Sequence, residues 1–410
     1  MRHGHPGISE PIWLGAEQKQ SYSVEELSEL ASACVDFLVS AFKPPSSCPV
    51  GGNVVLATDQ NFPDALSASY LAQGLKTGVL LTPTGSLSTD AATALRLEGI
   101  THVYIVGGPI AVSTDVVNQL KATQAYNCGG TAGLITAAPG TPQNLTVTQV
   151  YGQTAYDTAQ SVAQYFGAGT GGVGSGSFAT AYPTSTTGTS TYNAASGMSG
   201  TIAPANSAPT KVAIVATGEN FPDAVAASAM VYAQAWPVLL TQQASLAPQA
   251  AVAIVNLGIQ QVVVMGGPIA ISDAVVTQLE GMGVSVLRIG GQDYTDTAQL
   301  LAQFELNSNG LNWSTTYPNL LIPLTYGVNV ARGDFYADAL AGSVVGGTTH
   351  TPIVLTFDPN TMGTGIPALL KAEASLKIQV TSLSIFGGPL AVSAATQLSV
   401  LLSISANSTI

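Results

Sequence analysis

Charge is what this chain has least of. Of its 410 residues only 8% are Asp, Glu, Lys or Arg, and eleven Lys and Arg stand against twenty-three Asp and Glu, for a formal net charge of −12. So few cations on an acidic chain repel phosphate backbones and anionic lipid, which argues against nucleic-acid partners. With 46% apolar residues, the surface falls to Ser, Thr, Asn, Gln and Gly, a balance common in secreted or surface-assembled proteins and unusual in the cytosol.

Long hydrophobic runs are missing too. Nothing approaches the roughly eighteen consecutive apolar residues of a membrane span, so no membrane insertion is expected. The opening Met1-Arg2-His3-Gly4-His5 has no apolar signal core, so export is expected after processing or by another route. Cys34, Cys48 and Cys128 fit no zinc or redox spacing; one disulfide plus one buried thiol, or three inert thiols, are the readings left open. Of the four histidines, two lie in the opening Met1 to Gly7 tail, while His102 and His350 fall in different parts of the chain without a partner pattern. No nucleophile elbow, Walker sequence, dinucleotide-binding glycine pattern or metal-spaced cluster occurs, and the chain is expected not to be an enzyme and to carry no cofactor.

What the chain does have is repetition. Asn61-Phe62-Pro63-Asp64-Ala65-Leu66 returns as Asn220-Phe221-Pro222-Asp223-Ala224-Val225 and, more worn, as Phe335-Tyr336-Ala337-Asp338-Ala339-Leu340. Each copy is followed by a strand-like run into Gly-Gly-Pro: Val106-Gly107-Gly108-Pro109, Met265-Gly266-Gly267-Pro268 and Phe386-Gly387-Gly388-Pro389. Asp64 to Gly107 and Asp223 to Gly266 both span 43 positions and Asp338 to Gly387 spans 49, which places a small insertion in the third copy around Phe357 to Gly365. Three units of this kind fit the length, with boundaries at 1–146, 147–283 and 284–410.

The second unit reads most clearly. Strands are expected at Val212–Ala216, Pro237–Thr241, Gln261–Met265 and Val284–Ile289, and helices at Pro222–Gln234, Pro248–Leu257, Asp273–Gly281 and Thr295–Glu305. The strands are continuous apolar runs alternating with helices, the pattern of a parallel sheet covered on both faces. A further echo links the units: Gly152-Gln153 before Tyr156-Asp157-Thr158-Ala159, and Gly291-Gln292 before Thr295-Asp296-Thr297-Ala298, with Leu14-Gly15-Ala16-Glu17 as a loose first-copy counterpart. Two stretches interrupt the pattern, Thr123 to Gln149 and the Gly, Ser, Thr and Ala-rich tract Gly167 to Thr210. Such composition builds no core of its own and reads as a loop, a flexible excursion or a surface-covering arm.

Both recurrent motifs sit where a strand gives way to a helix. Asn61 is placed to cap that helix, Pro63 suits its first turn, and Asp64 reaches back to the free first-turn amides. The alternative makes Asp64, Asp223 and Asp338 ligand-contacting groups along one sheet edge. The paired glycines Gly107 and Gly108, Gly266 and Gly267, and Gly387 and Gly388 let the backbone turn tightly or pass close to a neighbour or ligand. Ser113, Ser272 and Ser393 follow as helix N-caps, and helix N-termini favour anions. These twelve residues are the candidate binding set.

Together with Leu80-Leu81-Thr82, Leu239-Leu240-Thr241 and Val354-Leu355-Thr356, and the closing Gly-Gly-x-x-Ala-x-Ser, these elements recur three times in order. In this the chain resembles the cell wall binding repeat 2 family of Gram-positive surface proteins. The resemblance implies three tandem Rossmann-like or flavodoxin-like α/β domains arranged around a pseudo-threefold axis. It also implies an extracellular, cell-surface location and non-covalent attachment to an anionic cell-wall polymer. One departure stands out: the family pattern places Arg-Tyr just before the Thr-Ala of the inter-repeat helix, where this chain has Ala155-Tyr156 and Tyr294-Thr295. With few basic residues, attachment to a polyanion would need hydrogen bonding to neutral glycan or bridging divalent cations. The repeats leave no span for a separate effector domain, which favours as an alternative a self-associating subunit of a surface layer or filament. A sugar- or nucleotide-processing enzyme is the remote third reading.

Overall fold

The computed structural model describes residues 52–98, 100–125, 143–166, 190–192, 198–202, 211–306, 324–375 and 378–407. The three cysteines and the Leu14-Gly15-Ala16-Glu17 echo lie outside them. The first repeat contains β1 (Gly52–Thr58), α1 (Phe62–Leu66), α2 (Ala68–Leu75), β2 (Val79–Thr82), α3 (Thr89–Leu97), β3 (Ile100–Val106), α4 (Thr114–Ala122), the short β4 (Gln124–Ala125) and β5 (Gln143–Asn144), and β6 (Thr146–Val150). Helix α5 (Ala155–Gln164) and strands β7 (Ser190–Tyr192) and β8 (Met198–Ile202) lead into the second repeat. That repeat is β9 (Val212–Thr217), α6 (Pro222–Ala226), α7 (Ser228–Gln234), β10 (Val238–Thr241), α8 (Pro248–Leu257), β11 (Gln261–Met265), α9 (Asp273–Gly281) and β12 (Ser285–Ile289). Helix α10 (Tyr294–Leu306) connects to the third, made of β13 (Leu324–Arg332), α11 (Ala337–Thr349), β14 (Ile353–Thr356), α12 (Gly365–Ser375), β15 (Ile378–Ile385) and α13 (Ala394–Asn407).

The sheets run β2-β1-β3-β6, β10-β9-β11-β12-β8-β7 and β14-β13-β15, three versions of one Rossmann-like α/β unit. Within these three sheets all pairings are parallel except those of β8, which joins β12 and β7 in antiparallel fashion; β4 and β5 form a separate antiparallel pair. Two expectations need correcting. The stretch 123–149 is not all insertion, because the β-branched run Thr146-Val147-Thr148 pairs with β3 as the fourth strand of the first sheet. The helix expected over 222–234 breaks at Ala227, as its counterpart does at Ser67, where the Ser67 hydroxyl donates to Asp64 O at 2.9 Å and competes with the helical bond there. The Gly167 to Thr210 tract is an arm where it is described: β7 and β8 extend the second sheet.

Strands β9, β10, β11 and β14 are buried along their whole length because both faces are covered. In β1, Val54 and Leu56 face an outer cluster with Leu95, Ile105 and Leu120, while Val55 and Ala57 face inward. In β9, Ala213 and Val215 pack outward against α8 and α9, and Val212, Ile214 and Ala216 inward. The third sheet divides the same way, with Val328 and Val330 outward and Ala331 inward. Three outer cores are therefore private, one per repeat, and the inner core is shared by all three.

In that inner core α2, α7 and α11 touch pairwise. Small residues make the approach close: a Cβ added at Gly346 would stand 2.9 Å from the Ala229 Cβ, and one at Gly347 2.8 Å from Ala229 O. The hydroxyls of Ser69 and Ser343, from the first and third repeats, hydrogen-bond at 2.9 Å inside it. The Phe of the recurrent motif closes the end of this core. Phe62, Phe221 and Tyr336 meet edge-on or tilted, with centroids 5.4, 5.7 and 6.5 Å apart, and the Tyr336 hydroxyl donates to Thr58 O at 3.0 Å. Phe221→Ala removes the ring nearest to both others and is expected to cost about 2–4 kcal/mol, read from the denaturant midpoint, whereas Tyr336→Phe keeps the ring and is expected to cost only about 1 kcal/mol.

Candidate functional site

Two positions after each of these rings comes the motif aspartate, at the carboxyl end of the first strand of its repeat. Asn61 makes no side-chain cap bond, so the expected capping does not occur there; Asn220 instead accepts the N–H of its neighbour Phe221 at 3.0 Å. The carboxylates turn toward the Gly-Gly-Pro loop. Gly107, Gly266 and Gly387 have φ of +118°, +104° and +95°, a region that side chains strain to adopt. A Cβ at these glycines would stand 3.2, 2.8 and 2.6 Å from Oδ2 of Asp64, Asp223 and Asp338. The two recurrent motifs are thus two halves of one contact, made three times.

The inter-repeat echo supplies the third part. Thr158 on α5 hydrogen-bonds the Asp64 carboxyl and accepts the Gly152 N–H at 3.1 Å; Thr297 on α10 does the same for Asp223 and Gly291, at 3.0 Å. Burial pushes both carboxyls above the ordinary carboxylate value, and the threonine bond pulls them partly back. Asp338 is also raised by burial, and here the opposing influence is Arg332, which occupies the place of Thr58 and Thr217 at the end of the first strand. Asp64 is the most enclosed of the three, and its Oδ1 has no hydrogen-bond partner among the described residues.

The remaining candidates are engaged within the same loops. A Cβ at Gly108 would meet the Tyr151 ring at 2.8 Å, one at Gly267 would lie 3.6 Å from Gly291 O, and Gly388 faces open space. In the first repeat the second glycine therefore makes room for the departing chain, while at Gly267 a side-chain carbon would be in ordinary contact. Ser113 and Ser393 cap their helices, accepting the N–H of Val116 at 3.4 Å and of Thr396 at 3.3 Å. Ser272 holds the N-cap position, but its hydroxyl makes no such bond. All three serine N–H groups donate to the loop after the second strand, at Thr84 O, Gln243 O and Pro359 O. Beneath the first tip Gln149 donates to Gly107 O at 3.2 Å, and Arg288 donates to Gly266 O at 2.8 Å in the second, with its other arm on Ser272 O and Asp273. Burial lowers the Arg288 pKa, and Asp273 opposes that shift.

Residues that motif reasoning passed over point outward from these loops. Ile110, Ile269 and Leu390 are 87%, 92% and 92% exposed, one per repeat, immediately after each Gly-Gly-Pro. Their signal was in the sequence as a recurrent large aliphatic between Pro and Ala. The two inter-repeat helices also seat a tyrosine on the following repeat: a Cβ at Gly218 would stand 3.0 Å from the Tyr156 ring, and one at Gly333 2.5 Å from that of Tyr294. On α5, Asp157 forms a capping box with Thr154 and accepts from Gln249 of the second repeat at 2.9 Å.

This arrangement has the parts of a latch. The family described as cell wall binding domain 2 (CWB2) matches residues 25–117, 149–276 and 288–397, and the chain belongs to it. The resemblance read from the repeats therefore holds, and membership makes this a cell-wall-associated surface protein. The chain is similar, at 24% identity over 319 residues, to N-acetylmuramoyl-L-alanine amidase LytC of Bacillus subtilis (strain 168), over 78% of this chain and 48% of the relative. It is 23% identical over 302 residues to Amidase enhancer of the same organism, over 73% of this chain and 30% of that protein. The chain thus spans about half or less of the curated relatives it matches. Among solved structures, Cwp8 from Clostridium difficile superposes with a TM-score of 0.60 at 17% identity, over 93% of this chain and 50% of that one. Cwp6 from Clostridium difficile gives 0.57 at 16%, over 85% and 44%. These likenesses show the fold.

The raised carboxyls have a stability consequence whose sign is definite. A carboxyl with a folded-state pKa above its unfolded value adds stability fully present below the unfolded pKa and lost as pH rises through the folded one. Asp223→Asn is therefore expected to flatten part of the decline in urea midpoint as pH rises above the ordinary carboxylate range, while Thr297→Val, which leaves the carboxylate buried without its hydroxyl, is expected to steepen it. An unchanged midpoint-versus-pH curve for both variants would show that the Thr-Asp bond is absent in solution.

Proposed function

We propose that this protein is a non-catalytic extracellular surface protein whose three repeats attach it non-covalently to a cell-wall polymer. The observation that carries the reading is the triplicate tip: in each repeat a glycine of positive φ closes over a buried aspartate and carries an aliphatic residue outward. The Phe62, Phe221 and Tyr336 contacts bring the carboxyl ends of the three first strands together, which supports a pseudo-threefold arrangement with the tips at one end. In this reading Asp64, Asp223 and Asp338, with Gly107, Gly108, Gly266, Gly267, Gly387, Gly388, Ser113, Ser272 and Ser393, form the frame of the polymer-binding surface. The aspartates hold that frame and the loop backbone and aliphatic tips meet the polymer.

Charge favours neutral glycan over polyanion as the contacting part. Arg288 is committed to carbonyls beneath the second tip, and Arg332 pairs with Asp334 through two 2.7 Å bonds. Bridging by divalent cations is the remaining route to an anionic polymer. Sedimentation of the purified protein with isolated cell walls tests the reading, with salt and calcium varied independently. Retention that survives 1 M salt without calcium is expected on neutral-glycan contact, since exposed charges about 3 Å apart or more are screened there; no retention under any condition would sink the wall-binding reading.

A second reading, a self-associating subunit of a surface layer or filament, draws on the arm whose β7 and β8 extend the edge of the second sheet. Analytical ultracentrifugation over a wide concentration range, with and without calcium, is expected on that reading to show reversible growth beyond the monomer. A strictly monomeric protein throughout would exclude it.

A further inference from the structure

We propose that the junction between the second and third repeats is a binding site of its own, an aromatic clamp for a neutral or N-acetylated pyranose ring. It rests on the wall-glycan reading above and names one place where such a glycan is held. Four features converge there. Tyr294, at the start of α10, lies against Phe357 with ring centroids 5.3 Å apart and planes 14° from parallel, and its hydroxyl donates to Phe357 O. Gly333 leaves room for the Tyr294 ring. Two residues on from Gly333, Phe335 carries the Arg332 guanidinium 5.6 Å from its ring centroid. Arg332 is in turn held flat by its paired bonds to Asp334.

Phe335 and Phe357 remain 40% and 42% exposed, an unusual state for two phenylalanines at one junction. The face of a pyranose ring is a patch of C–H bonds rimmed by hydroxyls, so it suits an aromatic plane bordered by hydrogen-bonding groups. Here the charged groups near the rings are the carboxylates of Asp334 and Asp358 and the Arg332 guanidinium. Burial, with Asp334, Asp293 and Asp358 nearby, pushes the Tyr294 phenol up to about 12, so it stays protonated and keeps its bond to the loop. Those same carboxylates repel an anionic ligand, and the one cation among them is already paired. Neutral sugar is the chemistry that fits.

Among the described residues the clamp belongs to this junction alone. Phe357 stands in the loop 357–364, longer than the loops 83–88 and 242–247 of the other repeats, and the matching residues there are Pro83 and Gln242. Phe335 corresponds to Asn61 and Asn220. Tyr294 falls where the family pattern has the Arg of its Arg-Tyr pair, so an aromatic ring replaces a cation at this junction.

The test titrates the full chain with tetramers of N-acetylglucosamine and, in parallel, of glucose, by calorimetry and by saturation-transfer NMR. Saturable binding of at least one tetramer is expected, weakened about three- to tenfold by each of Phe335→Ala and Phe357→Ala and restored by Phe357→Trp, with melting temperatures matched among the variants. Neither tetramer binding at millimolar concentration, or a double alanine variant binding as the unmodified chain does, overturns the clamp. Wall sedimentation separates the two ideas: retention on walls without tetramer binding removes the clamp and leaves wall attachment, and tetramer binding without retention does the reverse.

Discussion

The structure depends on one constraint: three sheets must turn one face each into a single shared apolar core. A sheet that is apolar on both sides needs cover on both, and each repeat has a private helical layer for the outer side only. The inner side of each is covered by the other two repeats, through α2, α7 and α11. Those helices are therefore rich in Ala, Ser and Gly where they meet, because backbones must approach closely for the core to close without voids. Fully buried Leu71, Met230 and Leu340, each worth about 1.5–3 kcal/mol of burial, are contributed one per repeat to a cluster that no repeat completes by itself.

From that constraint the tips acquire their geometry. The ring of Phe62, Phe221 or Tyr336 fixes the start of the first helix in each repeat, and the aspartate two residues on is carried to a fixed place behind the Gly-Gly-Pro loop. The glycine must have positive φ and no side chain for the loop to close over the carboxyl. The threonine of the next inter-repeat helix then ties that helix back to the repeat it leaves, while its tyrosine and Asp157 or Asp296 reach the repeat it enters; Asp296 accepts from Thr364 at 2.8 Å. One short helix thereby couples two domains through a buried polar contact and an aromatic one.

Much of the architecture was legible in the sequence because it rests on local rules repeated three times. Val212–Thr217, Pro248–Leu257, Gln261–Met265 and Asp273–Gly281 fall where hydrophobic runs and turn residues place them. What was not legible is what depends on contacts between copies. Asp64 looks like a helix-capping residue in any short window, and only the approach of α5 shows its hydroxyl partner to be Thr158. The sequence places Phe62 only at the start of its own helix, yet its ring neighbours are Phe221 and Tyr336, distant in the chain. Strand β6 was hidden because a polar, Thr-rich composition reads as loop until β3 offers it a pairing edge.

The third repeat shows what the latch can tolerate. Its aspartate keeps the glycine contact but replaces the threonine bond with Arg332, its helix starts with Ala337 instead of proline, and its aromatic residue is a tyrosine whose hydroxyl reaches across to Thr58. If the aspartates did chemistry on a bound group, an arginine in one copy and a threonine in the other two would give two unlike kinds of active group. As clasps for a loop they need only a counter-group that offsets burial, and a hydroxyl or a guanidinium serves. The divergence of the third copy is therefore concentrated where it alters what faces outward: the longer loop 357–364 and the Phe335 position introduce aromatic rings at the junction while leaving the glycine, the aspartate and the shared core in register.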